Sequence, residues 1–228
     1  MKTTFKQTPE FIEQMDLAFW TARAKDKTLN RAEFNAQYTK LHAKDADKPK
    51  TDHLLALSQT APSETHKKAY SAFATYCAKF PNVATPNIVL IGGTGTGKTM
   101  VANAIRDTLV DRDFWVEYTT AFNMVNVFQK FVNSYGRDDA KVQSFLDCDL
   151  LIIDDLGAEP TIRNVTQEHI YNVINERLVN KRPFIITTNH TVTELQSIYE
   201  ARITSRLLSR ETSAVLEFSG KDLRITKK

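Results

Sequence analysis

Eight consecutive residues, Gly92-Gly93-Thr94-Gly95-Thr96-Gly97-Lys98-Thr99, set glycines, a lysine and a hydroxyl in the order that cradles phosphate. Glycines let backbone N–H groups turn inward, and the helix that follows offers its positive end. Lys98 then reaches the β and γ phosphates, and the Thr99 hydroxyl ligates Mg²⁺. A dinucleotide fingerprint is excluded, because its third glycine would have to stand where Lys98 is. Asp154 follows Lys98 by 56 residues, and there Leu150-Leu151-Ile152-Ile153 carries two carboxylates, Asp154 and Asp155. Asp154 would hold Mg²⁺ through water, and Asp155 would polarise an attacking water. Asn189, a further 35 residues on, closes the apolar run Phe184 to Thr188 with a neutral amide able to orient that water. Arg202 and Arg206, at i and i+4, share a helix face from which a guanidinium acting in trans would neutralise a γ-phosphate. Arg224 offers one more cation that would fold back on the nucleotide.

Each feature also has a plain reading: a Gly-rich turn, a strand ending in a polar turn, a strand-terminating Asn, a solvated basic face. Their succession decides for the nucleotide, and the elements between them support it. Candidate strands are Asn87 to Ile91, Trp115 to Thr119, Leu150 to Asp154, Phe184 to Thr188 and Val215 to Phe218, separated by helix-length segments. That alternation predicts an α/β domain, and runs apolar at consecutive positions predict strands buried on both faces of a parallel sheet. In such a sheet ligands gather at the carboxyl ends of the strands, where the phosphate loop, Asp154, Asp155 and Asn189 fall. A helix carrying Ala69, Tyr70, Phe73, Tyr76, Cys77 and Phe80 leads in.

With 228 residues, 42% hydrophobic and 25% charged, the chain can build a sizeable core, and collagenous, coiled-coil-only and wholly disordered classes are excluded. A net charge of +3 is too small to define a polybasic nucleic-acid binder. Residues 1 to 85 hold 13 basic and 9 acidic residues, a local excess of +4. Two cysteines, Cys77 and Cys148, are too few for a disulfide framework or a zinc site, and no signal core or membrane span is apparent, so a cytoplasmic protein is expected. Residues 1–45 read as a small helical hairpin with an aromatic face of Phe11, Met15, Phe19, Trp20, Phe34 and Tyr38, suited to a partner. Residues 46–62 read as a charged linker, and residues 63–228 as the nucleotide-binding domain.

On Gly92 to Thr99, Leu150 to Gly157, Ile185 to Asn189, Ala201 to Leu207 and Phe218 to Arg224, the sequence resembles the AAA+ ATPases of the bacterial helicase-loader type, DnaC and DnaI, with the transposition helper IstB as a relative. The resemblance spans about residues 65 to 228. It implies a five-stranded parallel sheet between helices without a full C-terminal lid. Asn189 then corresponds to sensor 1, Arg206 to the arginine finger with Arg202 supporting it, and Arg224 to a degenerate sensor 2. It also implies a homo-oligomer formed on ATP or partner binding, a replicative DNA helicase as partner, and contact with single-stranded DNA. Aromatic and basic residues interleave between the second and third strands (Phe122, Phe128, Lys130, Phe131, Tyr135, Arg137, Lys141), and by the resemblance Lys130, Arg137 and Lys141 would touch that DNA by phosphate contact. The usual Asp-Glu is Asp154-Asp155 here, which implies slow turnover stimulated by assembly or DNA. A transposase helper would share every ATPase residue. A small-molecule kinase is disfavoured by the absence of a recognisable acceptor pocket, and a non-hydrolysing ATP switch would differ only in turnover.

Overall fold

Leu150, Leu151, Ile152 and Ile153 are all fully buried, yet they alternate between two cores, because successive strand side chains point to opposite faces. The strand they form, β3 (Leu150–Asp154), belongs to a five-stranded, all-parallel sheet with β1 (Asn87–Ile91), β2 (Val116–Thr120), β4 (Phe184–Thr188) and β5 (Ser213–Glu217), in the order β2-β3-β4-β1-β5. Buried β3, β4 and β1 occupy the centre, whereas the edge strands β2 and β5 are covered only in part. This computed structural model describes residues 53–59, 61–133, 140–160 and 166–220. The N-terminal hairpin with its aromatic set, Arg137 and Arg224 lie outside them.

One face of the sheet carries helices α1 (His53–Gln59), α2 (Glu64–Lys79) and α3 (Lys98–Val110), packed through Leu54, Tyr70, Phe73, Cys77, Ile105 and Leu109 against Ile88, Leu90, Leu150, Ile152 and Ile185. The other carries α4 (Ala121–Asn133), α5 (Ala140–Asp147), α6 (Thr166–Val179), α7 (Val192–Ile198) and α8 (Ala201–Leu207), packed around Met124, Phe128, Phe145, Ile170, Ile174 and Ile203 against Leu151, Ile153, Phe184 and Ile186. Among the described residues no helix is long and apolar enough to cross a membrane.

Three expectations shift. Residues 53–59 fell within the stretch read as a linker but form α1, because Leu54 buries fully and His53 bonds Asp111 at 3.0 Å through Nε2 and Thr108 at 3.2 Å through its backbone N–H. β2 starts one residue later than read, although the Trp115 carbonyl still accepts from the N–H of Asp149, just before β3, and of Leu150, its first residue. β5 starts at Ser213 and stops short of Phe218, whose N–H nevertheless reaches the Ile91 carbonyl at 2.7 Å. Buried Arg177 is a clamp that sequence reading missed. Its guanidinium donates to the carbonyls of Phe145, Cys148 and Pro183, tying α6 to the end of α5 and the start of β4. Both cysteines are buried thiols, and burial pushes Cys148 up to about 11.

Candidate nucleotide-binding site

Strand order determines which side chains meet. β4 lies between β3 and β1, so the residue following β4 stands between the loop after β1 and the carboxylates at the end of β3. Asn189 is that residue, and its amide bridges both neighbours. Its Oδ1 accepts from Lys98 Nζ at 2.9 Å, and its Nδ2 donates to Asp155 Oδ1 at 2.6 Å. Lys98 is almost wholly buried at the start of α3 and also donates to the carbonyls of Gly92 at 2.6 Å and Gly93 at 2.8 Å. The ammonium is thus held inside the phosphate loop.

Asp154 is fixed from three sides. The Thr99 hydroxyl stands 3.1 and 3.2 Å from its two oxygens, Tyr118 on β2 donates to Oδ2 at 2.7 Å, and Thr187 on β4 donates to Oδ1 at 2.5 Å. Burial, reinforced by the bond to Asp154, raises the Tyr118 phenol far above its ordinary value and keeps it a neutral donor. One hydroxyl beside one buried carboxylate, at the mouth of a phosphate loop, is a donor set that fits Mg²⁺, which takes one or two protein oxygens and fills its other positions with phosphate and water. Asp155 instead turns away from the strand with φ 60°, a left-handed conformation tolerated by Asp, and its N–H donates to Thr187 Oγ1 at 2.9 Å. β3 and β4 remain joined past their ends by the Leu156 N–H on the Thr187 carbonyl at 2.8 Å. That extension brings the carboxylate of Asp155 to the amide of Asn189.

Two glycines are dictated by close approach. A Cβ on Gly92, at φ +144°, would lie 2.1 Å from the Phe218 carbonyl oxygen, and one on Gly157, at φ +101°, would lie 2.3 Å from the His190 ring. Beside the first, His66 buttresses the loop. Its Nε2 faces the Thr96 carbonyl at 3.2 Å, its Nδ1 faces the Ser63 hydroxyl at 2.8 Å, and its ring meets Phe218 edge-on. The Nε2–H tautomer satisfies both contacts. Beyond Gly157, Glu159 accepts from the Gly157 N–H at 2.8 Å and from the Tyr199 hydroxyl, joining the loop after β3 to the junction of α7 and α8.

Lys98, Thr99, Asp154, Asp155 and Asn189 therefore converge as read from sequence. Arg202 and Arg206 sit together on α8, but their bonds go elsewhere than to this cluster: Arg202 to Glu200 at 2.7 Å, and Arg206 to Asn175 at 3.0 Å and the Arg202 carbonyl at 3.0 Å. Lys130 is exposed on α4. Lys141 bonds the buried carboxylate of Glu117 at 2.6 Å, with its own side chain about half exposed. Phe128 packs in the core and Phe131 against it. Tyr118, Thr187, His66 and Glu159 were missed, and no local pattern marks them.

Residues 77–228 match the family described as IstB-like ATP binding protein. The chain is 25% identical over 224 residues to the chromosomal replication initiator protein DnaA of Streptococcus pyogenes, covering 85% of this chain and 49% of that protein. It thus spans about half the length of the curated relatives it matches. Among solved structures, the DnaC helicase loader superposes with a TM-score of 0.61 at 19% identity, covering 69% of this chain and 92% of that one. AMPPCP-bound DnaA from Aquifex aeolicus superposes with a TM-score of 0.58 at 20% identity, covering 68% and 47%. These likenesses establish an AAA+ fold around an ATP-binding loop.

Proposed function

The chain belongs to the family of IstB-like ATP binding proteins, and from that premise we propose that it hydrolyses ATP to load a replicative DNA helicase onto single-stranded DNA. The carrying observation is the Asn189 amide, bonded at once to Lys98 and Asp155. One neutral group thereby links the cation meant for the γ-phosphate to the carboxylate meant for the water. The water oxygen bonds to the γ-phosphorus, the bond to the β–γ bridging oxygen breaks, and the water's proton passes to Asp155. Lys98 and the loop N–H groups hold the phosphate oxygens in place while charge moves to the ADP oxygen. Thr99 and Asp154 would hold Mg²⁺, which when bound neutralises β and γ oxygens. Arg206 of a neighbouring copy would supply the remaining positive charge. Asp155 is one methylene shorter than the usual glutamate, which favours slow turnover, raised by assembly or DNA.

The likeness to the DnaC helicase loader supports the helicase as partner, and the aromatic set of residues 1–45 makes that segment the proposed grip, with the cytoplasm as the proposed place of action. The family match favours a second reading, in which the same ATPase serves a transposase. A capture experiment with replicative helicase and transposase side by side, each with and without ATP, separates them. Retention of the helicase alone supports the loader, and retention of the transposase alone replaces it. ATP turnover measured with and without single-stranded DNA tests the hydrolytic part. Tight ATP binding with no phosphate release under either condition would make the chain a binding switch instead.

A further inference from the structure

Arg206 is oriented without being neutralised. On α6, Tyr171 and Asn175 stand at i and i+4, and on α8 Arg202 and Arg206 do the same, so the two pairs meet across the helix contact. Both guanidiniums lie over the Tyr171 ring, at 4.7 Å for Arg202 and 4.8 Å for Arg206. The Nε of Arg206 donates to the Asn175 Oδ1 at 3.0 Å, and its Nη1 donates to the Arg202 carbonyl at 3.0 Å. Arg202 has a carboxylate partner in Glu200, whereas Arg206 has none among the described residues. A guanidinium carries five N–H donors. Two of those on Arg206 are used within the subunit by groups without net charge, and three remain.

We propose that Tyr171 and Asn175 are positioning residues that hold Arg206 ready for a nucleotide phosphate on a second copy of this chain; this rests on the reading of Arg206 as the residue that acts in trans. An aromatic face and an amide oxygen are suited to the task because they attract a guanidinium while leaving its charge available. A carboxylate in place of Asn175 would hold Arg206 as firmly and consume the charge that the phosphate needs. The platform also divides the labour of the two arginines. Glu200 offsets Arg202, which lowers the repulsion between two cations on one ring and leaves Arg206 as the one with charge to offer.

Turnover of Mg-ATP is measured across a protein-concentration series with single-stranded DNA present, and each variant's melting temperature is read beside it. Asn175→Asp is expected to lower kcat about tenfold, with KM for ATP within about twofold and an unchanged melting temperature. Tyr171→Leu is expected to act in the same direction, and Tyr171→Phe, which keeps the ring face, to restore wild-type kcat. Should Tyr171→Leu fail to fold, Asn175→Asp and Tyr171→Phe carry the test. Arg206→Ala is the reference. If it loses turnover while Asn175→Asp keeps the wild-type kcat, the positioning role is overturned and the trans reading stands. Wild-type turnover in Arg206→Ala, or turnover per subunit that never rises with concentration, overturns both.

Discussion

At the scale of single residues, Lys98 and Gly157 make opposite demands. Lys98 is charged, buried and bonded to three acceptors, all of which can be taken over by water or a neighbouring donor when the side chain is shortened. Lys98→Ala is therefore expected to keep the fold within about 1 kcal/mol and to weaken ATP affinity about a hundredfold, or about 2.7 kcal/mol. The thermal shift produced by Mg-ATP measures both, and an undiminished shift in the variant contradicts the phosphate-loop assignment. Gly157 needs φ +101° and open space where a Cβ would come within 2.3 Å of the His190 ring. Gly157→Ala should cost about 1–3 kcal/mol in urea unfolding and displace Asn189, which adjoins His190, thereby slowing turnover. Adding His190→Ala should recover the steric part of that loss but not the conformational part, leaving the double variant less destabilised than the sum of the two single variants. Full additivity would argue that the ring is not what Gly157 avoids.

At the scale of elements, the strands were legible because a parallel sheet buries both faces and so writes four apolar residues in a row, as at Leu150 to Ile153. Asp154, Asp155 and Asn189 were legible for a related reason, since they close such runs, and Lys98 and Thr99 were legible from the glycine pattern that follows β1. What surrounds them was not. The donors to Asp154 come from Thr99, Tyr118 and Thr187, between 33 and 55 residues away, and only the sheet order brings them together. Lys141 looked like a free cation because its partner Glu117 lies 24 residues back on β2, with nothing local to announce it. α1 escaped notice because seven residues with three leucines are too short for a helical period to stand out beside the charged run before them. The contact between α4 and α6 supplies a test at this scale. His169 stacks on Phe128 at 4.4 Å, nearly parallel, and its burial holds the imidazole below its ordinary value of 6.5, against a smaller opposing effect of Glu168. A base whose pKa falls on folding is bound by more protons in the unfolded chain, so its contribution to stability is complete above pH 6.5 and lost as pH drops towards the folded value. The melting temperature of wild type should fall more between pH 7.5 and 5.5 than that of His169→Phe. Equal slopes would remove His169 as the cause.

For the whole molecule, the side chains that converge at the phosphate loop, Lys98, Thr99, Asp154, Asp155 and Asn189, all come from residues 92–189. Residues 1–45 lie outside the described residues and are proposed as the partner-gripping segment. Deleting those residues is expected to leave ATP affinity within about twofold and to abolish capture of the partner protein, since interface hot spots favour aromatics such as Trp20 and Tyr38, each worth about 2 kcal/mol or more. Isothermal titration with ATP and the side-by-side capture read the two outcomes. Capture that survives the deletion would move the docking surface onto the ATPase domain.

The strand order also sets a timetable for synthesis. β1 precedes every other strand yet pairs only with β4 and β5, so the strand that bears the phosphate loop emerges first and finds its neighbours last. A nascent chain that has reached residue 180 can zip β2 to β3, but the Ile88, Val89 and Leu90 of β1 have no strand to lie against. Contacts this distant in sequence are slow to form, and an apolar strand waiting for them is open to aggregation and to chaperones. ATP binding can therefore report when β4 and β5 have joined the sheet. Chains truncated at residue 180 should show no ATP-dependent protection from protease, whereas chains truncated at residue 220 should show it. Protection at 180 would mean that the loop closes before its sheet exists.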